Sequence, residues 1–231
     1  MASSEPSRKS APCRLIVVGG HTRSIGKTQL VCDLVAAFPN ASWLAGKITQ
    51  YGHGVCATNG HDCDCAPTEH IVALDWETDA CSGTDSARFL QAGAARSFWL
   101  RTKQGYLAEG MPPLRRALSE VAQTDGSDGV NVIVESNSLL QFVKPSLYVT
   151  VLDATRDDFK DSARQMLDRA DVLVFRRGVD DDTIARPPWM QLPAQLLKQK
   201  PSVLQRQGEP LPDPLFQLVK RILDSAAIVS L

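Results

Sequence analysis

Leu15-Ile16-Val17-Val18-Gly19-Gly20-His21-Thr22-Arg23-Ser24-Ile25-Gly26-Lys27-Thr28 is the stretch on which the fold turns. Arg14 to Val18 is a short apolar run rich in β-branched residues that meets Gly19-Gly20, the pattern of a buried strand entering a tight loop. From Lys27 onward Leu30, Val31, Leu34, Val35 and Phe38 recur at three- and four-residue intervals, and Pro39-Asn40 stops them, so a helix follows. In a strand, loop and helix arranged this way, backbone N–H groups surround whatever lies above the loop, and the helix dipole favours a negative charge there. Gly26 permits close approach, Lys27 places a cation on the outer phosphates of a nucleoside triphosphate, and the Thr28 hydroxyl is the hard oxygen that magnesium prefers. The expected nucleotide contacts are therefore Gly20, His21, Thr22, Arg23, Ser24, Ile25, Gly26, Lys27, Thr28 and Gln29.

The usual Walker-type spacing puts a glycine five residues before the second glycine; here His21 holds that position and Gly20 lies one residue earlier. Outward from the loop, Ser42 to Ile48, Arg96 to Arg101, Val130 to Val134, Leu147 to Leu152, Asp171 to Phe175 and Val203-Leu204 read as strands. Helices are expected from Thr84 through Gly93, over Pro112 to Val121, over Phe159 to Ala170 and from Pro214 to Ser225. Strands alternating with helices predict an α/β fold, a doubly wound and mainly parallel sheet of about seven strands. Met1 to Pro12 reads as a disordered, Ser-rich leader, and residues 13–231 as a single nucleotide-binding domain with a Cys/His-rich insertion at about residues 50–70.

The chain has 231 residues, 43% of them apolar, with 25 Lys and Arg against 26 Asp and Glu. That balance offers no wide positive field for nucleic acid, so phosphate recognition has to be local. No apolar run approaches a membrane helix, and the six cysteines without an export signal read as reduced thiols or metal ligands in a cytoplasmic protein.

Magnesium at such a loop needs an acidic residue at a neighbouring strand end. Glu135, after Val132-Ile133-Val134, supplies one at the carboxyl edge where open α/β sheets bind ligands, with Asp153 as the rival. Asp85, in the first turn of the helix capped by Thr84, either faces magnesium or an attacking water, or complements the helix dipole. Lys27, Asp85 and Glu135 are thus the candidate catalytic groups, and Thr28 and Glu135 the candidate magnesium ligands. After Phe175 the chain reads Arg176-Arg177-Gly178 rather than a guanine-reading Asn-Lys pair, so GTP and ATP both stay open.

Four blocks resemble the molybdopterin-guanine dinucleotide biosynthesis adaptor (MobB-like) family of P-loop NTPases. They are the Gly-Lys-Thr loop, Lys47-Ile48-Thr49, Gly83-Thr84-Asp85-Ser86 through Ala92-Gly93-Ala94, and Glu135. The resemblance implies GTP binding, slow hydrolysis and an accessory role beside a metallocofactor-assembly enzyme. The Gly-x5-Gly-Lys-Thr spacing is also similar to dethiobiotin synthetase, which implies instead an ATP-dependent small-molecule ligase or kinase, with His21, Arg23 or Lys47 lining an acceptor site. A nucleotide-binding scaffold without catalysis is the third reading. Neither nucleic acid nor membrane is an expected partner, and a homodimer stays open.

Between His53 and His70, Cys56, His61, Cys63 and Cys65 concentrate soft ligands. Three thiolates and one of His53, His61 or His70 make the tetrahedral set of a structural zinc; the alternative is a thiol-rich loop without metal, or a transient metal relay.

Overall fold

The computed structural model describes residues 12–52, 71–125, 129–176, 199–226 and 229–230. Its centre is β1, Pro12–Gly20, an almost wholly buried strand that pairs in parallel with β5 (Val130–Glu135) on one side and β6 (Leu147–Leu152) on the other. The remaining strands are β2 (Leu44–Tyr51), β3 (Val72–Trp76), β4 (Arg96–Lys103), β7 (Val172–Phe175), β8 (Ser202–Leu204) and β9 (Val229–Ser230). They form one sheet in the order β3-β4-β2-β5-β1-β6-β7-β8, parallel throughout except that β3 runs against β4 and the short β9 runs against the start of β1.

Alternation along β1 explains the double winding. Ile16 and Val18 point to one face, where they pack with Leu30, Leu34 and Val35 of α1 (Lys27–Ala37), Phe89 of α2 (Asp85–Gln91), and Leu215 and Val219 of α5 (Asp213–Asp224). Leu15 and Val17 point to the other, against Leu107, Met111, Leu114, Leu118 and Val121 of α3 (Leu107–Asp125). A strand buried on both faces reads as a continuous apolar run, which is how Leu15 to Val18 appear in the sequence.

The α/β class and the doubly wound parallel arrangement are as the sequence predicts, but the strand count is nine among the described residues rather than about seven. The two strands not anticipated are β3, a half-exposed edge strand interrupted by Asp75, and β9, which spans two residues. α3 begins five residues before the expected Pro112 and carries Pro112 and Pro113 inside it. An interior proline costs about 3 kcal/mol or more. The five large buried apolar side chains of this helix offset that cost, each contributing roughly 1.5–3 kcal/mol. The helix expected over Phe159 to Ala170 is broken into α4 (Asp161–Arg164) and a 3₁₀ turn at Leu167–Arg169. Its start is diverted because the Lys160 N–H donates to the His21 carbonyl at 2.9 Å, tying this segment to the loop after β1. β2 runs on to Tyr51; of the leader expected over Met1 to Pro12, residues up to Ala11 lie outside the described residues and Pro12 instead opens β1, and the insertion from His53 to His70 also lies outside them. Among the described residues no helix is long and apolar enough to cross a membrane.

Candidate functional site

The loop from Gly20 to Gly26 leaves β1 at the carboxyl edge of the sheet and returns as α1. Its geometry is set from both ends. At the start, the Asn137 side chain clamps Gly20: Oδ1 accepts from the Gly20 N–H at 2.9 Å, and Nδ2 donates to the Gly20 carbonyl at 2.8 Å. The clamp needs Gly19, because a Cβ there would lie 2.2 Å from Asn137 Oδ1 and 2.8 Å from the Tyr148 hydroxyl. At the end, Gly26 caps α1 with φ 87°, a left-handed conformation that side chains disfavour, and an added Cβ would lie 2.8 Å from Nε of Arg176. The amides of the first turn of α1, from Lys27 on, are then those a helix cannot satisfy internally.

Thr28, in that first turn, donates from Oγ1 to Glu135 Oε2 at 2.7 Å. Glu135 ends β5, directly beside β1, with its side chain only 7% exposed. Its other oxygen lies 3.6 Å from Nζ of Lys47, which β2 presents in register with Glu135, and Lys47 also pairs closely with Asp85. Burial pulls the Lys47 ammonium toward losing its proton, but Glu135 and Asp85 more than reverse this, so its pKa stands above the ordinary value. Asp85 is held by the cap of α2, where Thr84 Oγ1 accepts from the Ala87 N–H at 3.1 Å. The chain continues outward. Arg88 lies 3.6 Å from Asp85 and donates to Gln29 Oε1 at 2.7 Å, Gln29 donates to Asp33 at 2.8 Å, and Asp33 pairs with Arg176 at 3.2 Å. This polar string surrounds the first turn of α1.

Lys27 folds back, with Nζ donating to the Thr22 carbonyl at 2.5 Å. Burial holds its pKa below the usual lysine range against the opposing pull of Glu135, with Lys47 adding to the lowering. A desolvated ammonium beside the free end of a helix suits an incoming anion.

Four of the sequence-derived residues, Lys27, Thr28, Asp85 and Glu135, therefore come together. Others are placed differently. Asp153 is engaged in its own bend, its Oδ1 accepting from the Thr155 N–H at 2.9 Å and the Thr155 hydroxyl at 2.6 Å. The His21 side chain is buried against Phe159, with ring centroids 5.3 Å apart, and burial lowers its pKa. Its N–H donates to the Val151 carbonyl at 3.3 Å, so neither its ring nor its amide faces a ligand. The Gly20 amide is likewise taken by Asn137, which leaves the cradle to the later part of the loop and the first turn of α1. Ile25 is a core residue.

Cys56, His61, Cys63 and Cys65 lie outside the described residues, as does Arg177. Among the described residues no group of three or more His, Cys, Asp and Glu side chains gathers as a metal centre. Cys13 and Cys32 are buried thiols, pushed up by burial to about 12 and about 11. Sequence reasoning missed Asn137 and Arg176 as supports of the loop. Asn137 stood two residues after Glu135 as a polar side chain following a buried strand, but no spacing rule assigns such a residue to a loop 117 positions away.

A second feature borders the loop. A cleft of about 350 Å³ is lined by Thr22, Arg23, Ser24, Arg156, Asp158 and Lys160. None of Gly26, Lys27, Thr28 or Glu135 is part of it.

No protein-family model matches the chain, and a comparison with curated proteins finds no match. Among solved structures, the chain is similar to HypB from Helicobacter pylori, determined in complex with nickel. The identity is 15%, the TM-score is 0.51, and the match covers 94% of this chain and 90% of that one. A likeness at that identity speaks for the fold alone. It is the doubly wound, mainly parallel α/β sheet, here with a strand, loop and helix succession at its central strand.

Proposed function

We propose that this chain binds a magnesium–nucleoside triphosphate at the later part of the loop and the first turn of α1, Thr22 to Thr28, and hydrolyses it slowly, as an accessory protein in metallocofactor assembly. The observation that carries the reading is the 2.7 Å contact between Thr28 Oγ1 and Glu135 Oε2 at the N-terminus of α1, with two lysines beside it. A hydroxyl and a carboxylate brought together there are the hard-oxygen donors magnesium takes, so the donor set fits the ion. Thr28 and Glu135 would hold it, and the ion would neutralise charge on the outer phosphates. Lys27 would exchange its contact with the Thr22 carbonyl for a phosphate oxygen. Lys47 would keep Glu135 ionised and oriented, and Asp85 would position Lys47.

Among the described residues no side chain stands out as a strong general base, so any rate rests on positioning and electrostatics, which favours slow turnover. GTP is preferred on the resemblance to the MobB-like family, and work on a molybdenum or another metallocofactor is the finer reading of the same likeness. The alternative is an ATP-dependent ligase or kinase. Phosphate release from GTP and ATP, with and without pooled metabolites, separates the two. Release unaffected by metabolites supports the accessory NTPase, metabolite-stimulated release supports the ligase or kinase, and binding without release reduces the protein to a scaffold.

A further inference from the structure

We propose that the cleft against the first half of the phosphate loop is an oxyanion site, receiving the phosphate group of a second small molecule beside the bound nucleotide. The proposal rests on the nucleotide reading of the loop. Its basis is an excess of positive charge on a fixed frame, Arg23, Arg156 and Lys160 against the single lining carboxylate of Asp158. Arg23 and Lys160 make no side-chain ion pair with another described residue, although both line the cleft. The one carboxylate there, Asp158, is engaged by the Thr22 hydroxyl.

That same contact and the 2.9 Å bond from the Lys160 N–H to the His21 carbonyl fasten the segment around Lys160 to the loop. The cations are thus held near one another by these two ties, against their mutual repulsion. Their crowding has a physical signature. Burial first, and then Arg23 and Lys27, lower the Lys160 ammonium to about 8, with only Asp158 opposing. An anion in the cleft relieves that repulsion, and a guanidinium fork, an ammonium and the Ser24 hydroxyl together match the several acceptor oxygens of a phosphate.

At about 350 Å³ the space exceeds a bare phosphate and falls in the range of small-molecule sites. Because the lining omits Lys27, Thr28 and Glu135, a ligand there lies against Thr22 to Ser24 and not on the end of α1.

The test is calorimetric titration of inorganic phosphate into protein saturated with magnesium and a non-hydrolysable triphosphate. One equivalent is expected to bind, weakened about tenfold or more by Lys160→Gln and largely retained by Lys160→Arg. Absence of phosphate binding, or equal affinity in the Lys160→Gln variant, overturns the proposal. Failure of the nucleotide reading shows itself separately, because the triphosphate then does not saturate the protein. In that case the titration is run on nucleotide-free wild type, Lys27→Ala and Lys160→Gln. Loss confined to Lys160→Gln still supports the cleft, and loss confined to Lys27→Ala overturns it.

Discussion

Glu135 joins three groups of different origin: the Thr28 hydroxyl from α1, the Lys47 ammonium from β2 and, through Lys47, the Asp85 carboxylate from α2. Replacing it by Gln keeps a hydrogen-bond acceptor for Thr28 but removes the charge. The expected result is magnesium affinity of the nucleotide complex reduced by about tenfold or more, with a smaller effect on nucleotide binding without metal. Metal titration followed by a fluorescent triphosphate measures it; unchanged magnesium dependence removes Glu135 from the site. At this scale the sequence was informative where a residue acts through its neighbours in the chain. Gly26, Lys27 and Thr28 could be read from strand, loop and helix succession. His21 could not, since its burial depends on Phe159 and on the Lys160 amide, both far along the chain. Asn137 and Arg176 escaped for the same reason: their partners, Gly20 and Asp33, are distant in sequence.

At the scale of the element, α2 shows how a short helix can aim a side chain. Thr84 caps it through the Ala87 N–H, and its hydroxyl donates to Glu77 Oε2 at 2.6 Å, where Ser86 at 2.9 Å and Ser82 at 3.1 Å also converge. The hydrogen bond from Thr84 leads the influences that hold the Glu77 carboxyl down at about 2. A carboxyl depressed in the folded state stabilises it above the ordinary carboxylate pKa of 4.5, and that contribution is lost as pH falls from 4.5 toward 2. Thr84→Ala removes the cap and the leading bond. It is expected to lower the thermal midpoint at neutral pH by about 2–4 °C, corresponding to about 1 kcal/mol in a chain of this size. The deficit should shrink at acid pH, and scanning calorimetry across that window checks it. An equal deficit at every pH would separate the cap from Glu77. Thr84 could be read as a cap from its position before Asp85, whereas Glu77 could not be linked to it, because the turn at residues 78–83 has no periodicity. β3 was likewise hidden, a half-exposed strand that among the described residues pairs antiparallel with β4.

For the whole molecule, the alternation of apolar runs with helical periodicity carried the fold, since a doubly wound sheet is the arrangement that buries both faces of strands such as β1 and β6. Chain order alone did not give the strand order, in which β5 inserts between β1 and β2 and so brings Glu135 to Thr28 and Lys47. The cleft was beyond reach for a comparable reason: one wall is Thr22 to Ser24 and the other is Arg156 to Lys160, more than a hundred residues later. The account as a whole rests on the N-terminus of α1 being a triphosphate site. Its most direct test is equilibrium titration of GTP and of ATP into wild type and Lys27→Ala, each with and without magnesium. The account predicts magnesium-dependent binding of at least one of the two nucleotides to wild type, and its loss in Lys27→Ala under conditions where that variant is folded. Undiminished, magnesium-dependent affinity in Lys27→Ala would contradict it.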